Sequence, residues 1–165
     1  MILNISRLLS LILIFVLIAS LGFTSVYGDD IERNDTFSYY VRHSPSDLSS
    51  TVIIGNQSGN NQDYDILFST SAGQERFSLY GPTNYSQSLY EFKSDKWYRI
   101  EVFFGDTIQA SVIDPTDGKV IVTNSLKDTS GNNKGNIAFK VDSGSGGIGD
   151  TDTAFFDEFE IESES

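Results

Sequence analysis

Between Lys96 and Ile161 the chain keeps a two-residue alternation that suits an extended strand with one dry face and one wet face. In Lys-Trp-Tyr-Arg-Ile-Glu-Val, Tyr98, Ile100, Val102 and Phe104 share one parity, while Trp97, Arg99 and Glu101 share the other. Gly105-Asp106 marks a short turn, and Thr107 to Ile113 returns with Ile108, Ala110 and Val112 on one side, so the pair reads as a hairpin. Asp114-Pro115-Thr116-Asp117-Gly118 is a second turn, with proline to preset φ and glycine to accept a positive one. Lys119–Thr123, Asn136–Val141 and Ala154–Ile161 follow as three further strands.

The preceding part of the chain behaves in the same way. Thr36–Arg42 alternates through Phe37, Tyr39 and Val41, and Thr51–Ile54, Tyr64–Ser69, Glu75–Tyr80 and Gln87–Phe92 are short strands between turn-forming segments. Residues 29 to 35 are polar, suited to an arm or a first edge strand, and His43 to Ser50 is a polar loop around Pro45. About ten short strands without helical periodicity predict an all-β, antiparallel two-sheet sandwich. Its expected core is Tyr98, Ile100, Val102, Phe104, Ile108, Ala110, Val112, Ile137, Phe139 and Val141.

The N-terminus is of another kind. Arg7 precedes an apolar run from Leu8 to Leu21, and Val26 and Gly28 suit the positions before a cleavage point. Residues 1–28 are therefore expected to be a hydrophobic signal helix, cleaved before Asp29 or kept as a membrane anchor, with a single domain over 29–165. Either outcome predicts a protein that is secreted or anchored at the outer cell surface. Residues 29–165 hold 23 acidic and 10 basic side chains, a charge of −13. That charge disfavours nucleic acid and anionic membrane surfaces, so no membrane contact beyond the N-terminal anchor is expected. With no cysteine there is no disulfide, and stability must come from core burial, with or without a metal.

The order Trp97-Tyr-Arg-Ile-Glu-Val, Gly105-Asp-Thr-Ile-Gln-Ala, Asp114-x-x-Asp-Gly, Gly135-Asn-Ile-Ala-Phe and Phe155-Phe-Asp-Glu-Phe-Glu-Ile resembles the concanavalin A-like lectin/glucanase superfamily, nearest its laminin-G-like modules. The resemblance is good over roughly the last 70 residues and loose before them. It implies a jelly roll, and recognition of an extracellular polysaccharide or other glycan. Sugar rings pack their apolar faces on aromatic planes while polar side chains fix the hydroxyls, which makes Tyr85, Tyr90 and Trp97 the candidate contacts. Tyr64 and Tyr80 also lie in or beside turns; any of these rings can equally serve as a β-former that fills the core or covers an edge.

Glucanases of that superfamily carry Glu-x-Asp-x-Glu on a strand. Glu158, Glu160 and Glu162 approximate it, with Glu in place of the central Asp and at the very end of the chain. Glu158 and Glu162 would lie about 13 Å apart along a strand, against the roughly 5 Å of a retaining pair, so an outward charged face is expected and no catalytic residue is assigned. His43 is expected to be a solvated loop residue, and Gly144–Gly149 a sandwich-end loop without the lysine of a phosphate loop. Asp157 shares parity with Phe155, Phe159 and Ile161, so a regular strand would turn its carboxylate toward the apolar side. A structural calcium would compensate it, and the resemblance adds Asp30 and Glu32 as partners; a bulge turning Asp157 outward, or pairing with another side chain, serves as well. Asn34, Asn56 and Asn84 open glycosylation sequons.

The function expected is a non-catalytic carbohydrate-binding module. The alternatives are an adhesive β-sandwich that binds protein partners, and a divergent glycoside hydrolase.

Overall fold

A computed structural model describes residues 15–18, 25–44, 48–55, 63–129, 131, 134–143 and 153–163. The glycine-rich run from Gly144 to Gly149 and the sequon at Asn56 lie outside them. The described residues form twelve strands: β1 (Phe15–Ile18), β2 (Ser25–Glu32), β3 (Asp35–Ser44), β4 (Leu48–Gly55), β5 (Tyr64–Ser69), β6 (Arg76–Tyr80), β7 (Tyr85–Leu89), β8 (Tyr98–Phe104), β9 (Thr107–Asp114), β10 (Lys119–Lys127), β11 (Lys134–Ser143) and β12 (Thr153–Glu162). They assemble into two six-stranded antiparallel sheets, β1-β12-β3-β8-β9-β10 and β2-β11-β4-β5-β6-β7, hereafter sheets A and B.

Alternation decides which face of each sheet meets the other. Along β8, Tyr98, Ile100, Val102 and Phe104 are buried, while the residues between them are only partly covered. Their partners on β3 are Val41, Tyr39, Phe37 and Asp35, and Ile108, Ala110 and Val112 of β9 join them. Sheet B supplies Val52 and Ile54, Tyr64, Ile66 and Phe68, Phe77 and Leu79, and Ile137, Phe139 and Val141. All ten core positions expected from parity are buried.

The turns follow their chemistry. Gly118 has φ of 70°, and Asp114 Oδ1 accepts from Thr116 N at 2.9 Å, fixing the second hairpin turn. Lys96 donates to the same carboxylate at 2.7 Å, and these bonds, the lysine's first, pull its pKa down to about 2. At the opposite end Arg33 pairs with Asp106 and Asp128, and Asp128 also accepts from the Tyr64 hydroxyl. That cluster joins the β2–β3 turn, the β8–β9 turn, the end of β10 and the start of β5.

The structure departs from the sequence expectations at two places. No helix occurs among the described residues, and none there is long and apolar enough to cross a membrane. Phe15–Ile18, inside the run expected to be a signal helix, pairs with Thr153–Phe156 as an edge strand; its Phe, Val and Ile are strong β formers, and the outer edge of β12 offers unpaired backbone groups. Second, β3 continues two residues past Arg42, so His43 is part of the strand rather than of a loop. At Asp157 the structure takes one of the expected alternatives: β12 carries a bulge between Asp157 and Glu160, with Glu158 in the left-handed region at φ 49°.

Ile100 lies at the centre of this core with no exposed surface. Truncation there should leave a cavity, and Ile100→Ala is expected to lower the unfolding free energy by about 2–5 kcal/mol in urea melts. A loss under about 1 kcal/mol would mean that the buried face of β8 is misassigned.

Candidate functional site

The outward face of sheet B is built by the residues left over from core packing. With Phe77 and Leu79 turned inward, β6 must present Arg76, Ser78 and Tyr80 outward. The register aligns these with neighbours in three rows across the sheet. Tyr85, Tyr80, Asp65, Ile53 and Ala138 form the first; Gln87, Ser78, Leu67, Thr51 and Lys140 the second; Leu89, Arg76, Ser69, Ser49 and Asp142 the third.

Burial along these rows gives the surface its shape. Ser78, Ser69 and Thr51 point away from the core yet are buried, as short side chains are at the bottom of a depression. Longer ones stand around them. Tyr85 and Leu89 are 66% and 75% exposed, and the Tyr80 and Tyr85 rings lie 5.8 Å apart at 30°. The turn that sets these two rings side by side needs Gly81: a β-carbon there would come within 2.9 Å of the Tyr64 ring. Gly81 N donates to Asn84 O at 2.8 Å to close the turn. Beneath β7, Ser86 and Ser88 face inward and donate to Asn124 Oδ1 at 3.2 and 2.9 Å, while Asn124 Nδ2 donates to Phe77 O. This buried amide binds the last strand of sheet A to the rim strand of sheet B, so the aromatic wall stands on a fixed base.

Of the three expected ligand contacts, only Tyr85 lies on this face. Tyr90 sits on the segment that crosses from β7 to β8, its ring 4.9 Å from that of Phe92. Trp97 lies with the outward side of sheet A, where the Arg42 guanidinium is 5.2 Å from its ring and 4.4 Å from that of Phe155. Tyr64 is buried. Tyr80, Arg76, Ser78 and Gln87 form no group in the sequence, although the parity of Phe77 and Leu79 places Arg76, Ser78 and Tyr80 on one side of their strand.

The acidic candidates are dispersed. The bulge in β12 breaks the shared parity: Ala154 and Phe156 are buried before it, and Phe159 and Ile161 pack against the core after it. Asp157 is thereby carried to the outward side opposite Tyr40, where its Oδ1 accepts from Glu158 N at 2.9 Å. Asp30 and Glu32 are exposed on β2, in the other sheet, and no three carboxylate or imidazole groups gather to hold a metal among the described residues. Glu158 occupies the bulge, while Glu160 and Glu162 pair outward with Ser38 and Thr36. Of the sequons, Asn34 and Asn84 are exposed.

No protein-family model matches the chain, nor does any curated sequence. Solved structures do match it in fold. The Bacillus licheniformis β-glucanase superposes with a TM-score of 0.60 over 93% of this chain and 79% of its own, at 12% identity. The winged bean acidic lectin, complexed with methyl-α-D-galactose, gives 0.61 over 90% and 87%, at 7% identity. A pseudo β-1,3-glucanase of Mycobacterium tuberculosis gives 0.62 over 86% and 69%, at 10% identity. The fold is the concanavalin A-like jelly roll.

One polar side chain in the interior of this jelly roll overturns a sequence expectation. His43 is fully buried rather than solvated, because the alternation of Phe37, Tyr39 and Val41 continues to it. Its Nδ1 lies 3.0 Å from Thr70 Oγ1 and its Nε2 2.9 Å from Ser50 Oγ, so a neutral ring donates to one hydroxyl and accepts from the other. Burial lowers its pKa from 6.5 to about 3, against a smaller opposing effect of a backbone bond to Leu48. The unfolded chain therefore takes up a proton as the pH falls below 6.5, and the folded one does not until about 3. Stability should fall with pH across that window, by up to about 1.4 kcal/mol per unit from this group alone. Urea melts between pH 6.5 and about 4.5, above most carboxylate titrations, should show this slope, and His43→Gln should flatten it. Equal slopes in the two proteins would remove His43 as the cause.

Proposed function

We propose that this domain is a non-catalytic carbohydrate-binding module that grips a glycan in the outward groove of sheet B. The reading rests above all on the pair formed by exposed Tyr85 and half-buried Tyr80, standing over a floor of serine and threonine hydroxyls. A pyranose ring has an apolar C–H face and a hydroxyl rim. The first gains by packing on an aromatic plane, and the second needs hydrogen-bonding partners of the kind that Gln87, Asp65 and the floor hydroxyls provide. The fold is shared with a lectin complexed with a galactoside and with a β-glucanase, which supports a sugar ligand over a protein partner.

Catalysis is left out of the proposal because the glutamates of β12 lie on the other sheet, divided by a bulge. Export, with cleavage after Gly28, belongs to it. Cleavage would remove β1 and the first four residues of β2, and the core residues named above all lie at or beyond Ile31. Mass spectrometry of the exported protein should find Asp29 at its N-terminus.

The groove is tested by affinity electrophoresis or calorimetry on a broad glycan panel. Tyr85→Ala and Tyr80→Ala should each weaken binding on the order of tenfold, equivalent to ~1.4 kcal/mol, and Trp97→Ala on the opposite sheet should leave it unchanged. Retention of no glycan at all, or an equal loss with Trp97→Ala, would sink the assignment.

A further inference from the structure

We infer that the glycan held in this groove carries negative charge, as a carboxylate or a sulfate ester, and that Arg76 is the residue that recognises it. The inference rests on the carbohydrate-binding reading above and narrows its ligand class.

Arg76 is outward on β6, in register with Leu89, Ser69 and Ser49, and is half-buried. Its Nε is buried and has no hydrogen-bond partner. The other cations with recorded ion pairs, Arg33, Lys93, Lys96 and Arg99, each reach a carboxylate, whereas no such pair forms at Arg76 among the described residues. In a protein with 23 acidic side chains against 11 basic ones, an unpaired guanidinium in a groove is unexpected. Arg42 also has a partnerless Nε, but its guanidinium lies against Phe155 and Trp97, which gives it an interaction of its own.

The surroundings of Arg76 favour an anion. Ser69 and Ser78, its neighbours across and along the strands, are short and buried, so an oxyanion can approach over them. The two Nη groups of a guanidinium form a planar edge that matches two oxygens of a carboxylate or sulfate. Of the carboxylates at outward positions of sheet B, Asp65 belongs to the first row beside Tyr80, four residues along β6 and thus about 13 Å from Arg76. Asp142 ends Arg76's own row three strands away, about 14 Å across the sheet, and Asp30 and Glu32 lie further off on β2. A short oligosaccharide seated on the two tyrosines would extend over Ser78 toward the guanidinium. The protein's overall negative charge opposes a polyanion at long range. That repulsion is screened beyond about 8 Å at physiological salt, while the contact at Arg76 acts at short range.

The full chain should be titrated at physiological salt with polygalacturonate and dextran sulfate, and with uncharged dextran and laminarin as neutral counterparts. At least one anionic polymer should bind tenfold or more tightly than the neutral ones, and which one it is separates carboxylate from sulfate. Arg76→Gln should bring the anionic polymers down to the level of the neutral ones while leaving the melting midpoint unchanged; Arg76→Lys should retain part of the preference. Equal binding of charged and neutral polymers, or a preference that survives Arg76→Gln, overturns the anionic assignment and leaves the carbohydrate reading standing. Binding of none of the four, or of any related glycan, overturns both.

Discussion

Everything in this molecule depends on one constraint: two sheets share a single dry interior, and no disulfide supplements it. Each strand can put only every second residue there, so a one-residue slip would exchange its whole core face for its solvent face. Tyr98, Ile100, Val102 and Phe104 on β8, facing Phe37, Tyr39 and Val41 on β3 across the ladder, are held in register by this rule. The same rule fixes what the outside looks like. The groove of sheet B consists of residues that alternation excluded from the core, and its geometry follows from the core rather than from any separate signal.

Where the interior is polar, its partners come from different strands or strand ends. His43 is satisfied by Ser50 and Thr70, and Asn124 by Ser86, Ser88 and the carbonyl of Phe77. Such groups would be costly alone in a dry interior and are tolerable as closed sets. Each set also joins elements: the first links β3, β4 and the end of β5, and the second closes the two sheets where β10 meets β7. Arg33, Asp106, Asp128 and Tyr64 do the same at one end of the sandwich. Hydrogen-bonded clusters between strands thus add directional specificity that apolar packing alone lacks.

These features explain what could be read from the chain. The all-β class, the hairpin turn at Asp114–Gly118 and the full set of expected core positions follow from local parity and turn residues. The inside position of His43 does not, since a histidine after Arg42 and before a proline carries the same local pattern as a loop. Only Thr70, 27 residues away, together with Ser50 makes its burial acceptable. At Asp157 the sequence leaves the alternatives open for a different reason. Parity is informative only while the strand is regular, and one extra residue at Glu158 exchanges the faces for everything after it. The sequence shows hydrophobic residues at 155, 156, 159 and 161, a set compatible with either phase.

The aromatic residues mark the limit of sequence reasoning about the site. Tyr85, Tyr90 and Trp97 are similar in chemistry and lie within thirteen positions of one another. Yet they occupy the rim strand of sheet B, the segment crossing between the sheets, and the outward side of sheet A. A binding face in a sandwich gathers residues across neighbouring strands, not along the chain: Tyr80 meets Tyr85 through a turn, and Arg76 meets Ser69 through a ladder. Nearness in sequence therefore says little about membership of the site, whereas parity on β6 says much. Once Phe77 and Leu79 are assigned to the core, Arg76, Ser78 and Tyr80 must share the opposite face. An aromatic plane, a hydroxyl and an unpaired cation then stand in one line along a single strand.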